Sequence, residues 1–191
     1  MQIQINLVKG LCNVYVIKYN DKAVVVDAAA DIKALCEVIG DLEVVGVILT
    51  HGHYDHMRGL SEILKHFNTK CYLHKNAIDK LHKPDTNCSV FFGLRFISDA
   101  DKKDLRILSE GKLDLLDLPI NIVFTPGHTD CSVSFEIDGV VFTGDTLFKG
   151  GVGRFDLPTS NEDDLIRSLD KLKKLYSGHQ FLPGHGSGGS I

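Results

Sequence analysis

The chain has 191 residues, 43% hydrophobic and 24% charged, the make-up of a globular protein long enough to bury ~70% of the surface its unfolded form exposes. No apolar stretch approaches the ~20 residues a membrane-spanning helix needs, and a net charge of −4 argues against nucleic-acid binding, which normally requires a basic face. The start MQIQINLVKG lacks the basic and apolar regions of a secretory signal, and the five cysteines are odd in number with no CxxC pair, so a cytoplasmic protein with reduced thiols is expected.

In chain order, QIQINLV, CNVYVIKY and KAVVVDA read as three strands, with turns at Lys9-Gly10 and Asn20-Asp21. A short helix is predicted over Asp31–Val38. EVVGVILT then forms a continuous β-branched run, as in a strand covered on both faces. From Asp55 the period changes to helical, with Met57, Leu60, Leu64 and Phe67 on one side and Asp55 placed as N-cap. KCYLH reads as a short strand and Lys75–His82 as a helix. Residues 84–112 show no regular pattern and read equally as a lid over a site or an irregular connection.

The second half gives strands INIVFT and SVSFEI, a turn at Asp138-Gly139, strand VVFTG, a helix over Ser160–Leu175 and strand HQFLP. In that helix Leu165, Leu169 and Leu172 mark the buried stripe, Ser160 or Asn161 supplies the cap, and KLKKL at 171–175 is a solvated face. No low-complexity linker or fixed-period repeat interrupts the chain, so a single domain over 1–191 is expected. Its class is α/β, with two sheets packed together and helices outside.

The residues that carry chemistry stand at strand ends. LTHGHYDHM places His51, His53, Asp55 and His56 within six positions behind the run VVGVI. NIVFTPGH ends in His128, VVFTGD in Asp145 and FLPGH in His185. Each repeats one grammar of apolar run, glycine turn and metal-binding side chain, and seven such residues would converge at one edge of the sheets. Imidazole and carboxylate suit zinc, iron or manganese, and two such ions need about this many side chains. A lone PGH or GD is more often a turn with a polar residue; the complete set, with five of the nine histidines in it, exceeds what folding requires. His66, His74, His82 and His179 lack the grammar and read as ordinary surface or core histidines. Asp27 reads equally as a turn residue or as a support for a ligand histidine, and Cys131, three positions after His128, as a core or pocket residue.

THGHYDH, PGHT, GDTLF and PGHG resemble, in order and spacing, the motifs of the metallo-β-lactamase superfamily, whose fold is a four-layer αββα sandwich of two mixed β-sheets flanked by helices. GDTLFKGGVGRFDLP followed by LIRSL is most similar to the short glyoxalase II-like, or hydroxyacylglutathione hydrolase, subgroup. The resemblance implies one metal held by His51, His53 and His128, another by Asp55, His56 and His185, and Asp145 bridging them. Asp55 and Asp145 are thereby the implied catalytic carboxylates, and the implied cofactors are two divalent metal ions, zinc first, with iron or manganese as alternatives. The implied reaction is hydrolysis of a small-molecule thioester, a 2-hydroxyacyl (lactoyl) thiol adduct, through a metal-bridging hydroxide, with no nucleic-acid or membrane partner. Arg154 and Asp156 match a GR-x-D segment, read equally as a buried ion pair holding the loop or as a substrate contact. Larger glyoxalase II enzymes carry an additional C-terminal helical domain; with six residues after His185, none is expected here. The competing implication is a mononuclear iron persulfide dioxygenase-like oxidoreductase, using His51, His128 and Asp145.

Overall fold

The computed structural model describes residues 2–191. An antiparallel meander of β1 (Gln4–Lys9), β2 (Asn13–Tyr19) and β3 (Lys22–Val26) opens it. Helix α1 (Ile32–Ile39) follows, with Asp31 Oδ1 accepting the Lys33 and Ala34 amides at 2.9 and 3.3 Å, so two of its orphan donors are capped. The chain returns as β4 (Glu43–Ile48), parallel to β3, and passes through α2 (Tyr54–Met57) and α3 (Leu60–Phe67) into β5 (Cys71–Leu73). After α4 (Ala77–Lys80) and two single turns of 3₁₀ helix, β6 (Leu105–Ile107) adds parallel to β5. The first sheet is thus mixed, in the order β1-β2-β3-β4-β5-β6.

The second sheet begins with β7 (Gly111–Asp114), β8 (Pro119–Phe124), β9 (Val133–Ile137) and β10 (Val140–Gly144), all antiparallel. A small ribbon of β11 (Leu147–Phe148) and β12 (Gly151–Val152) leads to α5 (Glu162–Tyr176). The chain then closes with β13 (Gln180–Pro183), parallel to β10, and β14 (Gly189–Ser190), antiparallel to β13. The order is β14-β13-β10-β9-β8-β7.

Three apolar clusters show how these elements stack. Because side chains alternate along a strand, β2 sends Tyr15 and Ile17 toward the second sheet, where they meet Ile122, Phe135 and Phe142. It sends Val14 and Val16 the other way, onto Leu35 and Ile39 of α1 and Leu60, Ile63 and Leu64 of α3. Both faces are buried, which explains the unbroken apolar run. Phe135 and Phe142 stack at 4.8 Å between the sheets, and truncating such a side chain to alanine costs ~3–5 kcal/mol. On the far side Val141 and Phe181 pack against Leu172 and Tyr176 of α5. The layers are therefore helix, sheet, sheet, helix, the expected αββα sandwich. Among the described residues no helix is long and apolar enough to cross a membrane.

Three expectations need correction. The helix read from Asp55 to Phe67 is two helices, because the Gly59 amide turns aside to donate to Ala28 O at 2.7 Å. A Cβ at Gly59 would lie 2.9 Å from that same oxygen. Asp55 consequently sits in the first turn of α2 rather than at its N-cap, a place taken by His53. The helix read over Lys75–His82 shortens to α4, flanked by turns. Residues 84–112 hold two 3₁₀ turns, the edge strand β6 and the first residues of β7, too short for their pattern to be legible.

All five cysteines are unpaired, and Cys12, Cys71, Cys88 and Cys131 are buried. Burial lifts the Cys12 and Cys88 thiols to about 11 and those of Cys71 and Cys131 above the ordinary thiol range, and only the thiolate attacks disulfide reagents. Cys36, half-buried on α1, is the one cysteine that a reagent can reach. Native protein treated with an aromatic disulfide at pH ~8 should release one fast equivalent of chromophore and the denatured chain five; four or five fast equivalents from native protein would contradict this packing.

Candidate metal centre

Each strand end delivers its side chain to one place. The segment after β4 brings His51, and the start of α2 brings His53, Asp55 and His56. The loop after β8 brings His128, the end of β10 brings Asp145, and the end of β13 brings His185. His51 Nε2 and His128 Nε2 stand 3.1 and 3.0 Å from His53 Nδ1. His185 Nε2 lies 3.3 Å from His56 Nε2 and 3.2 Å from Asp55 Oδ2. Between the two groups, Asp145 Oδ1 is 3.3 Å from His56 Nε2, while its Oδ2 is 3.5 Å from His185 Nε2 and 3.7 Å from His128 Nε2. All seven residues named from the sequence meet here.

Hydrogen bonds behind the imidazoles fix which nitrogen faces inward. His128 Nδ1 donates to Arg154 O at 2.9 Å, and His56 Nδ1 to Asp27 Oδ2 at 2.8 Å. His51 Nδ1 meets Thr50 Oγ1 at 3.2 Å, and that hydroxyl in turn donates to Asp27. Every one of these rings therefore turns Nε2 rather than Nδ1 to the cluster, as a metal-ligating histidine does. Asp27 sits at the hub, accepting the Thr50 amide at 2.8 Å as well. Of the two readings open for Asp27, the supporting one describes its contacts. Cys12 completes a second close trio with Asp27 and His56, but the Asp27 oxygens and His56 Nδ1 are spent on these hydrogen bonds.

A further set of contacts anchors the His185 loop. Asn13 Nδ2 donates to Pro183 O and Gly186 O at 3.0 and 2.8 Å, and Tyr15 OH to Pro183 O at 2.7 Å. No local signal marks Thr50, Asn13 or Tyr15, whose roles depend on partners in other motifs or far along the chain. Cys131 proves to be a core residue, its Sγ 3.2 Å from Thr129 Oγ1. His66 lies on α3 beside Cys36, His74 packs edge-on against Phe124, and His179 lies beside Tyr176, all apart from the cluster.

The electrostatics favour cations. Burial, reinforced by the neighbouring imidazoles, holds His51 well below the ordinary imidazole range, pushes His53 down to about 3 and lowers His128. These three rings are neutral, with lone pairs free. Burial acts upward on Asp55 and Asp145, but the imidazoles around them win and keep both carboxyls below the usual range. For His56 burial acts downward and is overcome by the carboxylates of Asp145 and Asp27; for His185 the Asp55 hydrogen bond leads, so both are raised.

Two observations test whether metal ions fit. Asp145 Oδ1 is buried and makes no well-formed hydrogen bond, with His56 Nε2 3.3 Å away, a position that favours a cation against the carboxylate oxygen. The inward nitrogens, 3.0–3.3 Å apart, match the ~3.3 Å tetrahedron edge set by metal–nitrogen distances of ~2.0–2.1 Å. The donor sets His51, His53, His128 and Asp55, His56, His185, with Asp145 between, fit a pair of divalent ions.

Gly184 makes this approach possible. A Cβ there would collide with Asp145 Oδ1 and stand 2.5 Å from His56 Cε1. Gly184→Ala is therefore expected to weaken metal binding by ~10–100-fold, the range seen when ligand orientation is disturbed, while the sandwich still folds. Competition with a chromophoric chelator measures this; unchanged affinity would show that the approach is not needed.

Above the cluster opens a cleft of about 360 Å³. Cys88, Phe91 and Phe92 form one wall, so the segment after α4 does border the site. Phe148, Arg154 and Leu157 line the rest. Arg154 Nε donates to Asp156 at 2.9 Å with both side chains largely exposed, so the expectation of a buried pair is corrected: the GR-x-D pair is a surface ion pair at the cleft's edge.

Comparison with known proteins agrees with this geometry. The family described as "Metallo-beta-lactamase superfamily" matches residues 7–185. The chain is 32% identical over 180 residues to the "Probable metallo-hydrolase YqgX" of Bacillus subtilis, covering 91% of this chain and 84% of that protein. It is 34% identical over 172 residues to the "Hydroxyacylglutathione hydrolase GloC" of Haemophilus influenzae, covering 86% and 80%. Among solved structures, TTHA1623 in a di-iron-bound form superposes with a TM-score of 0.83 at 28% identity, covering 98% of this chain and 94% of that one.

Proposed function

This chain belongs to the metallo-beta-lactamase superfamily, and from that premise we propose that it is a binuclear metal-dependent hydrolase of a small-molecule thioester, a 2-hydroxyacyl (lactoyl) thiol adduct. The observation that carries the reading is the pairing of two donor trios, His51, His53, His128 and Asp55, His56, His185, with Asp145 reaching both. His51, His53 and His128 hold one cation, Asp55, His56 and His185 the other, and the Asp145 carboxylate lies between. Zinc suits five imidazoles and two carboxylates first, with iron and manganese also accommodated; the di-iron relative supports two ions at such a site. The similarity to a hydroxyacylglutathione hydrolase supports the thioester.

Bound divalent cations supply a water ionised near neutral pH and polarise the scissile carbonyl. The chain's own residues set the stage. Asp55 faces the cleft with Oδ2 beside His185 Nε2, both turned to where the cation would sit, which would leave Oδ1 to accept a hydrogen bond from the reacting water and orient it. Burial disfavours a proton on His51, His53 and His128, which leaves their lone pairs for the cation. Phe91, Phe92 and Phe148 narrow the cleft and limit water around the carbonyl.

A mononuclear oxidoreductase built on His51, His128 and Asp145 is the competing reading. It leaves the convergence of Asp55, His56 and His185 without a use, which favours hydrolysis. With lactoylglutathione under strictly oxygen-free conditions, the metal-loaded protein should release one thiol per ester cleaved. Absence of thiol release, together with persulfide-dependent oxygen uptake by protein carrying a single iron, would overturn the proposal.

A further inference from the structure

The cleft is polar on its floor and apolar on its walls. His53, Asp55, His128, Asp145 and His185 make the floor, and Phe91, Phe92, Phe148 and Leu157 dominate what rises above it. Phe91 is 65% and Phe92 54% exposed, although water is an unfavourable place for a phenyl ring. These rings do not hang on a loose loop. They sit on the helical turn Ser89–Phe92, fixed from beneath by fully buried Asn87. Asn87 Oδ1 accepts the Ser89 amide at 3.0 Å, and its Nδ2 donates to Lys80 O and Phe96 O at 2.9 and 3.1 Å. Tyr54, between two of the metal-ligand residues, packs against Phe92 at 5.6 Å. A pinned aromatic pair at the lip of a reaction cleft is a surface built for a ligand to cover.

The charge on the walls points the same way. Among the described residues lining the cleft, Arg154 is the one permanent cation. Its Nε and Nη2 are both taken by Asp156 at 2.9 Å. The walls thus offer a single cation, already paired with Asp156, for the carboxylates of a peptide thiol, against a broad face for a hydrocarbon group.

We propose that the thioester accepted here carries a bulky apolar group, aryl or branched alkyl, beside the scissile bond, seated on Phe91, Phe92, Phe148 and Leu157. This rests on the hydrolase reading above. Within the 2-hydroxyacyl class, a lactoyl group offers these walls only a methyl, whereas a phenyllactoyl group fills them. Hydrolysis itself is unchanged: water adds across the C–S bond to give the carboxylate, the free thiol and a proton.

Two matched substrate pairs, assayed anaerobically with the metal-loaded full chain, locate the group. Lactoyl- and phenyllactoyl-glutathione vary the acyl half; lactoyl thioesters of glutathione and of benzyl mercaptan vary the thiol half. The phenyl member of at least one pair should show kcat/KM higher by about tenfold or more, since each hydrophobic increment in a pocket discriminates by ~10–200-fold. The double variant Phe91→Ala, Phe92→Ala should bring that ratio toward one at unchanged metal content. Wild-type ratios within about twofold of one in both pairs, or a ratio the double variant leaves intact, would overturn the inference while the hydrolase reading stands. If no thioester turns over, the hydrolase reading fails, and calorimetry with the corresponding thioethers decides the inference alone: binding about tenfold tighter with the phenyl group supports it, and equal binding overturns it.

Discussion

Asp145→Ala should lower kcat/KM by on the order of 10³-fold, a loss typical of removing a key electrostatic group from a water-poor site, and should deplete bound metal. Asp145 is the side chain that reaches both donor trios, with contacts of 3.3–3.7 Å to His56, His185 and His128, and it is one of only two carboxylates in the cluster. Without it, five imidazoles face each other with a single negative charge to offset two dications. His66→Ala, on α3 beside Cys36, should leave activity and metal content within about twofold, the effect of an ordinary surface substitution. The thermal shift separates site from fold. Metal binding to the native state raises stability as RT ln(1 + [L]/Kd), so metal should raise the Tm of wild type and His66→Ala but hardly that of Asp145→Ala. The metal-free Tm of Asp145→Ala should fall, because the surrounding imidazoles favour the charged carboxylate in the folded state, so each variant's metal-induced shift is read against its own metal-free baseline. Equal effects of the two substitutions would contradict the assignment.

The second large effect is expected at Asp27. Its carboxylate accepts the Thr50 amide at 2.8 Å, the Thr50 hydroxyl at 2.9 Å and His56 Nδ1 at 2.8 Å, and it is 1% exposed. Asp27→Ala strands all three donors in the interior and leaves His56 without its counter-charge, so a loss of ~3–5 kcal/mol in stability is expected, as for other broken buried pairs. Metal affinity should fall by ~10–100-fold because His56 and His51 lose their orientation. Asp27→Asn separates the two effects. Asparagine tolerates the left-handed backbone at this position, where φ is 61°, and it still accepts from Thr50. It should retain most of the stability while weakening the metal held by His56. Denaturant melts and chelator competition on the three proteins give both numbers, and metal affinity unchanged in Asp27→Ala would remove Asp27 from the account.

Much of this was legible in the sequence because the same positions carry two signals. β2, β3, β4, β8, β9 and β10 are buried runs of β-branched and aromatic residues. The ligand residues follow the ends of β4, β8, β10 and β13 at glycine-containing turns, so pattern and chemistry point to the same places. The edge strands β6, β7, β11, β12 and β14 are two to four residues long and carry no periodicity to read. The break at Gly59 is invisible locally, since a glycine inside a helical pattern is ambiguous until Ala28 O is known to lie beside it. The supports of the site are long-range in the same way: Asn13 reaches Pro183 across 170 positions. Asp27 stands between the cases, with a strand-end position that hinted at a role only the fold could complete.

The central claim, that seven side chains from four strand ends hold two metal ions, is tested most directly by the metal-to-protein ratio of the full chain. The protein is saturated with zinc, freed of excess by gel filtration and measured by plasma emission. The account predicts about two ions per wild-type chain, as a two-metal hydrolytic site requires. A ratio of one or less at saturation would contradict it.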